Sequence, residues 1–384
     1  MTFLQLIVKN LLRRPIRSAL SGLGVAIAVA AAVALISFST GFERSSVEVY
    51  SGHGVDMIAV RSGVTERLTS NLNEHIATQL AALPGIAAVN PSLTDMVSFG
   101  EGSLVGIPVH GWPPGSLIFD TLQLSQGRYL GPDDHHAVML GEQLADSLKS
   151  KIGDELKIEG KPFKLVGTYR GLNVFENATA VVDLEDLQNL MDRAGQVTEF
   201  QLQLDPRAKG KPAVIADLRR EIAELKNPAG GRWGLAAQAT QEFVTGATEV
   251  KLAKAMADVT SIIAVVIGSI GVLNTMMMSV LERTQEIGIL RAIGWRKSRI
   301  MRMIVGESLV LAFTGSLFGI VGGWLLIFLL VRLPLAQGLV RPEMPLTVVI
   351  QGELLALAAG LVGGGYPAFR GARLSPCEAL RYDC

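Results

Sequence analysis

Residues 259–281, with the sequence VTSIIAVVIGSIGVLNTMMMSVL, form a run of 23 residues without a charged side chain. An α-helix needs about 20 apolar residues to cross the roughly 30 Å hydrocarbon core of a bilayer. Two further uncharged runs are long enough, at 18–42 and 308–331. A fourth run, at 354–369, has 16 residues and reaches spanning length only by including Glu353 upstream. The pattern predicts an α-helical membrane protein with four transmembrane helices, at 18–41, 258–282, 307–331 and 347–368.

The composition excludes several classes of protein. Only 18% of the 384 residues are charged, against about 25% in an average soluble chain. Lys and Arg balance Asp and Glu at 35 each, so no basic excess points to nucleic acid. Cys377 and Cys384 both lie in the last eight residues and offer neither a disulfide framework nor the spacing of a zinc site. The first apolar run is too long for a signal peptide and lacks a cleavage pattern, so we interpret it as an anchor.

Basic residues predict the orientation of the four helices. Lys and Arg are concentrated in three segments, 1–17, 283–306 and 369–384. The short loop 332–346 contains only Arg332 and Arg341. Because cytoplasmic loops carry the excess of Lys and Arg, we expect a multi-pass protein of the cytoplasmic (inner) membrane with both termini in the cytoplasm. Residues 42–257 are then expected in the periplasm or outside the cell.

The outer segment 42–257 has the pattern of one large α+β domain inserted between the first two spans. Residues 55–60 alternate like a strand, and 155–169 contain two strand patterns around a Gly-Lys-Pro turn. Asp183 is placed to cap a short helix, and Asn71 is placed at another capped helix start.

The end of this segment predicts a rigid connection to the second span. No proline occurs between residues 239 and 282, so the helical pattern predicts one continuous helix about 66 Å long at 1.5 Å per residue. The membrane needs about half of that length, and residues 239–257 are expected to stand outside as a stalk that transmits motion. The alternative is a break near Gly246 and an ordinary linker.

The loop between the second and third spans contains a short helix. Residues 283–293 place Ile287, Leu290 and Ile293 on one side, and Gly294 is positioned to end the helix in the left-handed conformation. A partly apolar helix held at the membrane surface is suited to docking a partner. The alternative is a basic connector with no partner.

A longer stretch around this loop resembles a known family. Residues 274–311, NTMMMSVLERTQEIGILRAIGWRKSRIMRMIVGESLVL, resemble the signature of FtsX-like ABC transporter permeases. Residues 10–30 and 365–382 resemble the first span and the cytoplasmic tail of that family. Residues 127–170 resemble the MacB-type periplasmic core domain. The resemblance covers most of the chain. The family includes macrolide-exporter and lipoprotein-releasing permeases.

The resemblance implies a type VII ABC transporter that works by mechanotransmission. An ATPase would bind ATP and Mg, and this chain would bind no cofactor or metal and catalyse no reaction itself. The loop helix would be the coupling helix that sits in a groove of the ATPase, and ATP binding would move the outer domains. The resemblance carries this coupling role onto Glu282, Arg283, Glu286, Ile287, Gly288, Leu290, Arg291 and Gly294.

The same resemblance sets the expected partners. The sequence contains no G-x-x-x-x-G-K-[ST] phosphate-binding loop, so the ATPase is expected on another chain, although the macrolide-exporter branch carries it fused. Four spans are few for a transporter. We therefore expect a dimer of permease chains, identical or different, with two copies of the ATPase. A periplasmic adaptor and membrane lipid are further expected partners, and nucleic acid is not.

Two polar residues in the predicted spans are functional candidates. Glu353 is an acid within the fourth span, and intramembrane acids are costly and therefore candidates for function. The alternative is that the span starts later and that Glu353 lies at the headgroups near Arg341. We interpret Asn274 in the second span as an interhelical hydrogen-bonding residue and not as a substrate ligand.

Other patterns are interpreted as structural. The segment 1–17 is predicted to lie in the membrane interface as an amphipathic helix, and Ser375 begins a capping box. Adjacent side chains in Asp133-Asp134-His135-His136 point apart, so no metal site is predicted there. Glycines of the third and fourth spans are expected to let helices pack closely: Gly315, Gly319, Gly322, Gly323, Gly360, Gly363, Gly364 and Gly365.

Three uses of such a permease remain in competition. Adaptor-dependent export of a small molecule or peptide ranks slightly ahead of extraction of lipoprotein or lipid from the outer leaflet. Control of cell-wall hydrolases is the third, and the outer domain is large for that use. A membrane-anchored receptor or sensor without an ATPase is the alternative from another class. Glu286→Lys with Gly294→Pro would discriminate, because only a permease should lose association with an ATPase.

Overall fold

The computed structural model describes residues 15–63, 67–100, 104–116, 118–330 and 344–374. Several sequence predictions lie outside these residues. They are most of the interfacial helix at 1–17, the position of Arg341 beside Glu353, the capping box at Ser375, and both cysteines.

The described helices and strands are as follows. The helices are α1 (Pro15–Gly52), α2 (Ile76–Ala81), α3 (Glu142–Leu148), α4 (Val174–Asn177), α5 (Leu184–Leu190), α6 (Pro212–Glu224), α7 (Thr240–Gly246), α8 (Thr248–Glu282), α9 (Thr284–Ala292), α10 (Lys297–Leu330) and α11 (Leu346–Arg373). The strands are β1 (Met57–Arg61), β2 (Leu72–Asn73), β3 (Ile86–Phe99), β4 (Leu104–Trp112), β5 (Gln123–Gly127), β6 (Ala137–Gly141), β7 (Glu155–Ile158), β8 (Lys161–Arg170), β9 (Ala180–Asp183), β10 (Gln196–Val197), β11 (Glu199–Leu204) and β12 (Leu235–Ala239).

Among the described residues, four helices are long and apolar enough to cross a membrane: α1, α8, α10 and α11. They are the four that the uncharged runs predict. Each helix extends beyond its predicted span, and α10 begins at Lys297, ten residues before the expected start. Hydropathy marks only the part of a helix that lipid can cover, whereas a helix continues through charged residues wherever its backbone hydrogen bonds are satisfied.

The described residues fall into two compact units. A membrane-helix unit contains residues 15–41, 252–330 and 344–374. An outer unit contains the described residues between 42 and 251. The outer unit is the α+β domain expected between the first and second spans.

The outer unit is built on a mixed sheet. Its strands follow the order β12-β1-β11-β3-β4-β9-β6-β8-β5, and β7 pairs with β3 and β8. The pairs β4–β9 and β6–β8 are parallel, and the other pairs in the sheet are antiparallel. Phe99, Phe163 and Phe200 are buried in the main core. Trp112 and Tyr169 belong to a second core on β4 and β8.

Local predictions in this unit are partly confirmed. Asp183 is the N-cap of α5 and accepts a hydrogen bond from the backbone N–H of Glu185. The observed turn between β7 and β8 lies one residue earlier than the predicted Gly-Lys-Pro turn: the residues with positive φ are Glu159 and Gly160, and Pro162 lies inside β8. Two successive residues with positive φ suit a tight hairpin whose twist matches the flanking strands.

The predicted helix start at Asn71 is wrong. Residues 72–73 form β2 and pair with β10, and α2 begins only at Ile76. The Asn73 side chain accepts a hydrogen bond from the backbone N–H of His75. Pairing with a strand distant in sequence has overridden a local helix signal.

The continuous stalk helix expected over 239–282 is also wrong, and the alternative break near Gly246 is observed. α7 ends at Gly246, Ala247 is extended (φ −62°, ψ 141°), and α8 starts at Thr248. The short helix is held by the outer unit: the Thr240 hydroxyl donates to the Val55 carbonyl oxygen at 2.7 Å, and Val244 is buried. α7 is therefore a separate helix that packs on the outer unit and ends before α8 begins.

The residues of α1 that belong to the outer unit are tied to the loop 171–177. Asn173 donates from Nδ2 to the Ser45 carbonyl oxygen at 3.0 Å, and Phe175 packs edge-on against Phe42. Just after the helix, His53 is buried between Glu176 (Nε2 to Oε1, 2.5 Å) and Thr121 (Nδ1 to Oγ1, 2.5 Å). The residues that make these contacts all belong to the outer unit.

In the membrane-helix unit, α1 and α10 approach closely because of glycines. A Cβ at Gly319 would lie 2.7 Å from the carbonyl oxygen of Ala26, and Gly315 and Gly323 are similarly tight. These three glycines are four residues apart and form the small face that was predicted. Valine side chains of α1, including Val29, fill the space beside them.

The glycines of α11 differ among themselves. Gly360, Gly363 and Gly364 leave no room for a Cβ beside α10 or α8. Gly365 faces open space among the described residues, and Gly322 of α10 has only an ordinary contact with Ala30. The packing assignment therefore holds for most of the predicted set, and not for Gly322 and Gly365.

Candidate functional site

The helix predicted in the loop between the second and third spans is α9. It starts one residue after Arg283, whose backbone leaves the helical conformation (φ −109°, ψ 19°) and separates α8 from α9. Gly294 has φ +97°, as predicted for a glycine that ends a helix. The N–H of Gly294 donates to the Arg291 carbonyl oxygen and that of Trp295 to the Leu290 carbonyl oxygen. This pair of bonds is the Schellman motif.

Arg283, just before α9, is bonded to Glu307 within the third membrane helix, α10. Its Nη1 lies 3.1 Å from Oε1 and 3.3 Å from Oε2 of Glu307, and its Nε lies 3.0 Å from Oε2 of Glu286. The Glu307 side chain is only 4% exposed, and that of Arg283 is 19% exposed. Burial by itself lowers the pKa of Arg283. The charge of Glu307 and the hydrogen bonds to both carboxylates raise this pKa by more than burial lowers it, so the net shift is upward.

The inner face of α9 is buried within the membrane-helix unit. Ile287 is 2% exposed and packs in a cluster with Val280, Ile300, Met303 and Ile304. Gly288 is also buried, and Leu290 is half-buried. These apolar residues were expected to fill a groove in a partner. In this structure Ile287 and Gly288 pack inside the chain, and the coupling role of these residues stays a prediction.

The outer face of α9 carries a different set of side chains. Glu282, Glu286, Ile289 and Ile293 are exposed, and Ile293 is 72% exposed. Glu286, Ile289 and Ile293, at spacings of three and four residues, lie along one side of α9, and Glu282 is the last residue of α8, before the break at Arg283. Ile289 was missed by the sequence reasoning, which had grouped Ile293 with Ile287 and Leu290. We call these four residues the outer face of α9.

The remaining members of the predicted coupling set have structural contacts. Arg291 is half-buried and donates from Nη1 to the carbonyl oxygen of Trp295 at 3.2 Å. The guanidinium of Arg299 lies 4.2 Å from the centre of the Trp295 ring, a cation–π contact. These contacts hold the end of α9 next to the first turn of α10.

The two intramembrane candidates differ in their surroundings. The Ser316 hydroxyl of α10 lies 2.6 Å from Oε2 of Glu353 on α11, and Ser316 is fully buried. The other oxygen of Glu353 is buried without a hydrogen-bond partner among the described residues. Asn274 is exposed on α8, so it does not bridge helices within the described part of this chain.

The Asp133–His136 segment has a structural explanation. Asp134 accepts hydrogen bonds from the Arg128 guanidinium and from the backbone N–H of Gly131. The bonds from Arg128 lower the pKa of Asp134 to about 2. Among the described residues, no group of three or more His, Cys, Asp or Glu side chains is placed to hold a metal ion.

Comparison with known families explains this arrangement of units. The family model of the MacB-like periplasmic core domain matches residues 18–221, which is more than half of the chain. The family model of the FtsX-like permease C-terminal region matches residues 259–376. The chain is an ABC transporter permease of the MacB/FtsX type. The second match places α9 inside the permease region.

Relatives of this permease cover its whole length. The chain is 26% identical over 99% of its length to an uncharacterized ABC transporter permease, YknZ, of Bacillus subtilis, of which it covers 98%. It is 24% identical to the uncharacterized ABC transporter permease MJ1507 of Methanocaldococcus jannaschii, covering 96% of that protein. It is 26% identical to the macrolide export ATP-binding/permease protein MacB of Bdellovibrio bacteriovorus, but spans only 61% of its length.

Two solved structures are similar to part of the permease. One is the periplasmic region of MacB from Actinobacillus actinomycetemcomitans, with a TM-score of 0.40, 16% identity and coverage of 50% of this chain and 91% of that one. The other is the extracellular domain of the ABC-type transporter YknZ from Gram-positive bacteria, with a TM-score of 0.38, 15% identity and coverage of 48% and 98%.

Proposed function

We propose that this permease couples ATP hydrolysis by a separate ATPase chain to movement of its outer domain. In the membrane topology that we propose, both termini and α9 lie in the cytoplasm. The outer unit lies in the periplasm or outside the cell. The supporting observation is that the outer face of α9 is exposed while Ile287 and Gly288 are buried in the membrane-helix unit. A fixed helix that presents one face is suited to helix-in-groove recognition.

The outer face of α9 defines the chemistry of its partner. Ile289 and Ile293 present two branched apolar side chains next to each other, and Glu282 and Glu286 place acids at the other end of the face. The complementary groove on the ATPase is apolar at its centre and basic at one rim. In this proposal Ile289 and Ile293 enter the groove, and Ile287 holds α9 against the chain.

The ion pair of Arg283 with Glu307 supports transmission from α9 into the membrane. Because Arg283 is bonded to Glu286 on α9 and to Glu307 on α10, a displacement of α9 carries α10 with it. Breaking this pair would leave a buried carboxylate without its cation, which is costly. The bonded pair is therefore a stiff link, whereas a loop without such contacts would absorb the displacement.

ATP and Mg are bound by the ATPase in this proposal, since the sequence lacks a phosphate-binding loop. The functional unit contains two permease chains and two copies of the ATPase. The cargo is a small molecule or peptide that is exported with the help of a periplasmic adaptor. Several relatives are named macrolide export proteins, which favours the export function. Extraction of lipoprotein or lipid from the outer leaflet is the alternative.

The first experiment is affinity purification of the tagged permease in mild detergent, followed by mass spectrometry. Recovery of an ABC ATPase at about one copy per permease is expected. A co-purified adaptor supports export, and a co-purified lipoprotein supports extraction. Recovery of the permease alone, under conditions that preserve other membrane complexes of the same cell, would overturn the proposal and favour a receptor without an ATPase.

A further inference from the structure

A buried histidine fixes the C-terminal end of α1 to the rest of the outer unit. His53 follows α1 directly, and its side chain is 5% exposed. Its Nε2 lies 2.5 Å from Oε1 of Glu176 on α4, and its Nδ1 lies 2.5 Å from Oγ1 of Thr121. The Glu176 side chain is 6% exposed. We call these three residues the His53 clasp.

The partners of the clasp define which of its atoms carry protons. The Thr121 hydroxyl has one hydrogen, and its oxygen lies 2.6 Å from the Ile118 carbonyl oxygen, which can only accept. When Thr121 donates to Ile118, its oxygen accepts from Nδ1 of His53. The second oxygen of Glu176 accepts from the backbone N–H of Leu172 at 2.7 Å. The full set of bonds then requires a proton on Nδ1 and another between Nε2 and Oε1. Because imidazole is a stronger base than carboxylate, His53 is charged when the clasp is closed.

Burial makes the charge of His53 important to the clasp. Breaking a buried ion pair by removing one charge destabilises a protein strongly, because the other charge stays buried and uncompensated. Loss of one ring proton would leave Glu176 buried without its cation. The Thr121 hydroxyl would also have to leave Ile118 in order to donate to Nδ1. The clasp is therefore closed most firmly in its protonated form, and histidine is the side chain whose charge ordinarily changes between about pH 5 and 8.

Other titratable groups lie around the clasp without replacing its ion pair. The Tyr169 hydroxyl contacts the backbone carbonyl of Glu176, and burial raises the pKa of Tyr169, so that it stays neutral. Further titratable groups on the surrounding elements are Glu48 on α1, His110 on β4, Asp120 in the turn at 119–121, and Glu142 on α3, which pairs with Arg170 on β8. Among the described residues, the ion pair of His53 is with Glu176. We therefore assign the pH dependence of the clasp to that pair.

The same carboxylate also holds the loop 171–177 against α1. Glu176 accepts from the backbone N–H of Leu172, and Leu172 packs on Gly52, the last residue of α1, where a Cβ would overlap its side chain. Asn173 donates to the backbone of α1 and accepts from the backbone N–H of Glu176. Opening of the clasp would therefore loosen the loop and the last turns of α1 together.

We propose that the His53 clasp is a proton-dependent attachment between α1 and the outer unit. Its contribution is present at low pH, when His53 is charged, and is lost as the pH around the outer unit rises. Because α1 is one helix that also belongs to the membrane-helix unit, a loosened clasp would transfer less of its displacement to the outer domain. That consequence rests on the proposed function and adds regulation by pH to it. The clasp itself does not depend on the proposed function.

Hydrogen exchange followed by mass spectrometry tests the clasp on the full-length permease in lipid nanodiscs. Exchange rates are measured between about pH 5 and 8 and corrected for the intrinsic pH dependence of amide exchange. Peptides that cover 46–54 and 171–177 are expected to lose protection several-fold as the pH rises. Peptides that cover the buried strands β6 and β9 should keep theirs. Equal behaviour of the two sets of peptides would overturn the proton dependence.

Two substitutions assign the effect to the ion pair. His53→Gln and Glu176→Gln keep polar side chains but remove one charge, and each is expected to give low protection of 46–54 and 171–177 at every pH. His110→Gln is the matched control, because it removes another partly buried histidine of the outer unit, and it should keep the pH profile of the parent. A parent-like profile in His53→Gln, or a flat profile in His110→Gln, would overturn the clasp. Where a variant fails to fold, the profile of the parent still decides.

The regulatory consequence is measured separately, with the recovered ATPase present. The ATP-dependent change in exchange of the outer unit is expected to be smaller at about pH 8 than at about pH 6 in the parent, and the same at both in His53→Gln. Equal changes in the parent would overturn the regulation. Recovery of the ATPase without a pH-dependent clasp refutes the clasp and leaves the proposed function intact. A pH-dependent clasp in a permease that recovers no ATPase refutes the proposed function and leaves the clasp intact.

Discussion

The guanidinium of Arg283 contacts both carboxylate oxygens of the buried Glu307, at 3.1 and 3.3 Å. Arg283 precedes α9, and Glu307 lies in α10 where the third predicted span begins. One residue therefore determines where the short helix α9 rests against the membrane-helix unit.

Removal of Arg283 should destabilise the loop strongly. Arg283→Ala leaves Glu307 buried without its cation, and breaking a buried pair in this way costs about 3 kcal/mol or more. We expect a clear drop in the apparent unfolding temperature of the purified permease in detergent. Arg283→Met with Glu307→Gln is the matched control, because it removes both charges and should restore much of the loss. Equal losses in the single and double variants would contradict the role of the buried charge.

The outer face of α9 should control binding of the ATPase without affecting the fold. Ile289→Ser with Ile293→Ser is expected to lower recovery of the ATPase about ten-fold, which corresponds to roughly 1.4 kcal/mol of binding free energy. The unfolding temperature should stay nearly unchanged, since both side chains are exposed. Val105→Ser, at a 73% exposed position in the outer unit, is the control for loss of an exposed apolar side chain.

Ile287 should behave in the opposite way. Ile287→Ala removes a side chain that is 2% exposed, and such a change costs about 2–5 kcal/mol through lost burial and the cavity that remains. We expect a lower unfolding temperature and only a secondary loss of ATPase. If Ile287→Ala left stability intact and abolished ATPase recovery, Ile287 and not Ile289 would be the docking residue.

The glycine contact between α1 and α10 gives a prediction with an internal control. Gly319→Ala would place a methyl group 2.7 Å from the Ala26 carbonyl oxygen, and relieving such overpacking costs about 1–3 kcal/mol. Gly365→Ala meets no described atom within 4 Å and should be neutral or slightly stabilising, because Ala favours the helix. Thermal unfolding of both variants in the same detergent measures the difference. Similar behaviour of the two would show that α1 and α10 are not in close contact.

Asp183 predicts a pH dependence of stability in the outer unit. Burial raises the pKa of Asp183, and the charge of Asp186 raises it further, against the lowering effect of backbone N–H groups. The folded state therefore binds a proton more readily than the unfolded state, so the contribution of Asp183 is most favourable at low pH. It is lost as the pH rises through the folded pKa.

Asp183→Asn tests this linkage and keeps an oxygen that can accept from the Glu185 N–H. We expect a weaker dependence of the unfolding temperature on pH as the pH rises above the ordinary pKa of an aspartate, and equal or higher stability at neutral pH. Asp183→Ala loses the helix cap at a cost of about 1 kcal/mol. An Asn variant with the pH profile of the parent protein would show that another group titrates.

Much of the membrane part of the fold could be predicted from the sequence. The uncharged runs located α1, α8, α10 and α11 because a span of hydrocarbon requires about 20 residues without charge. Gly294 could be recognised because a helix end in the left-handed conformation favours glycine. Asp183 could be recognised because the N-cap preference is local. These signals depend on residues close together in the chain.

Contacts between distant residues decided the rest. α7 is docked on the outer unit through Thr240 and Val244, which broke the helix expected over 239–282. Pairing of β2 with β10 replaced the helix start at Asn71. On α9, periodicity showed an amphipathic helix, but only packing against Ile300, Met303 and Ile304 showed that Ile287 faces inward and Ile293 outward. Which face of a helix is covered depends on its neighbours in space, and a single helix's sequence carries that information only when one face is clearly more apolar than the other.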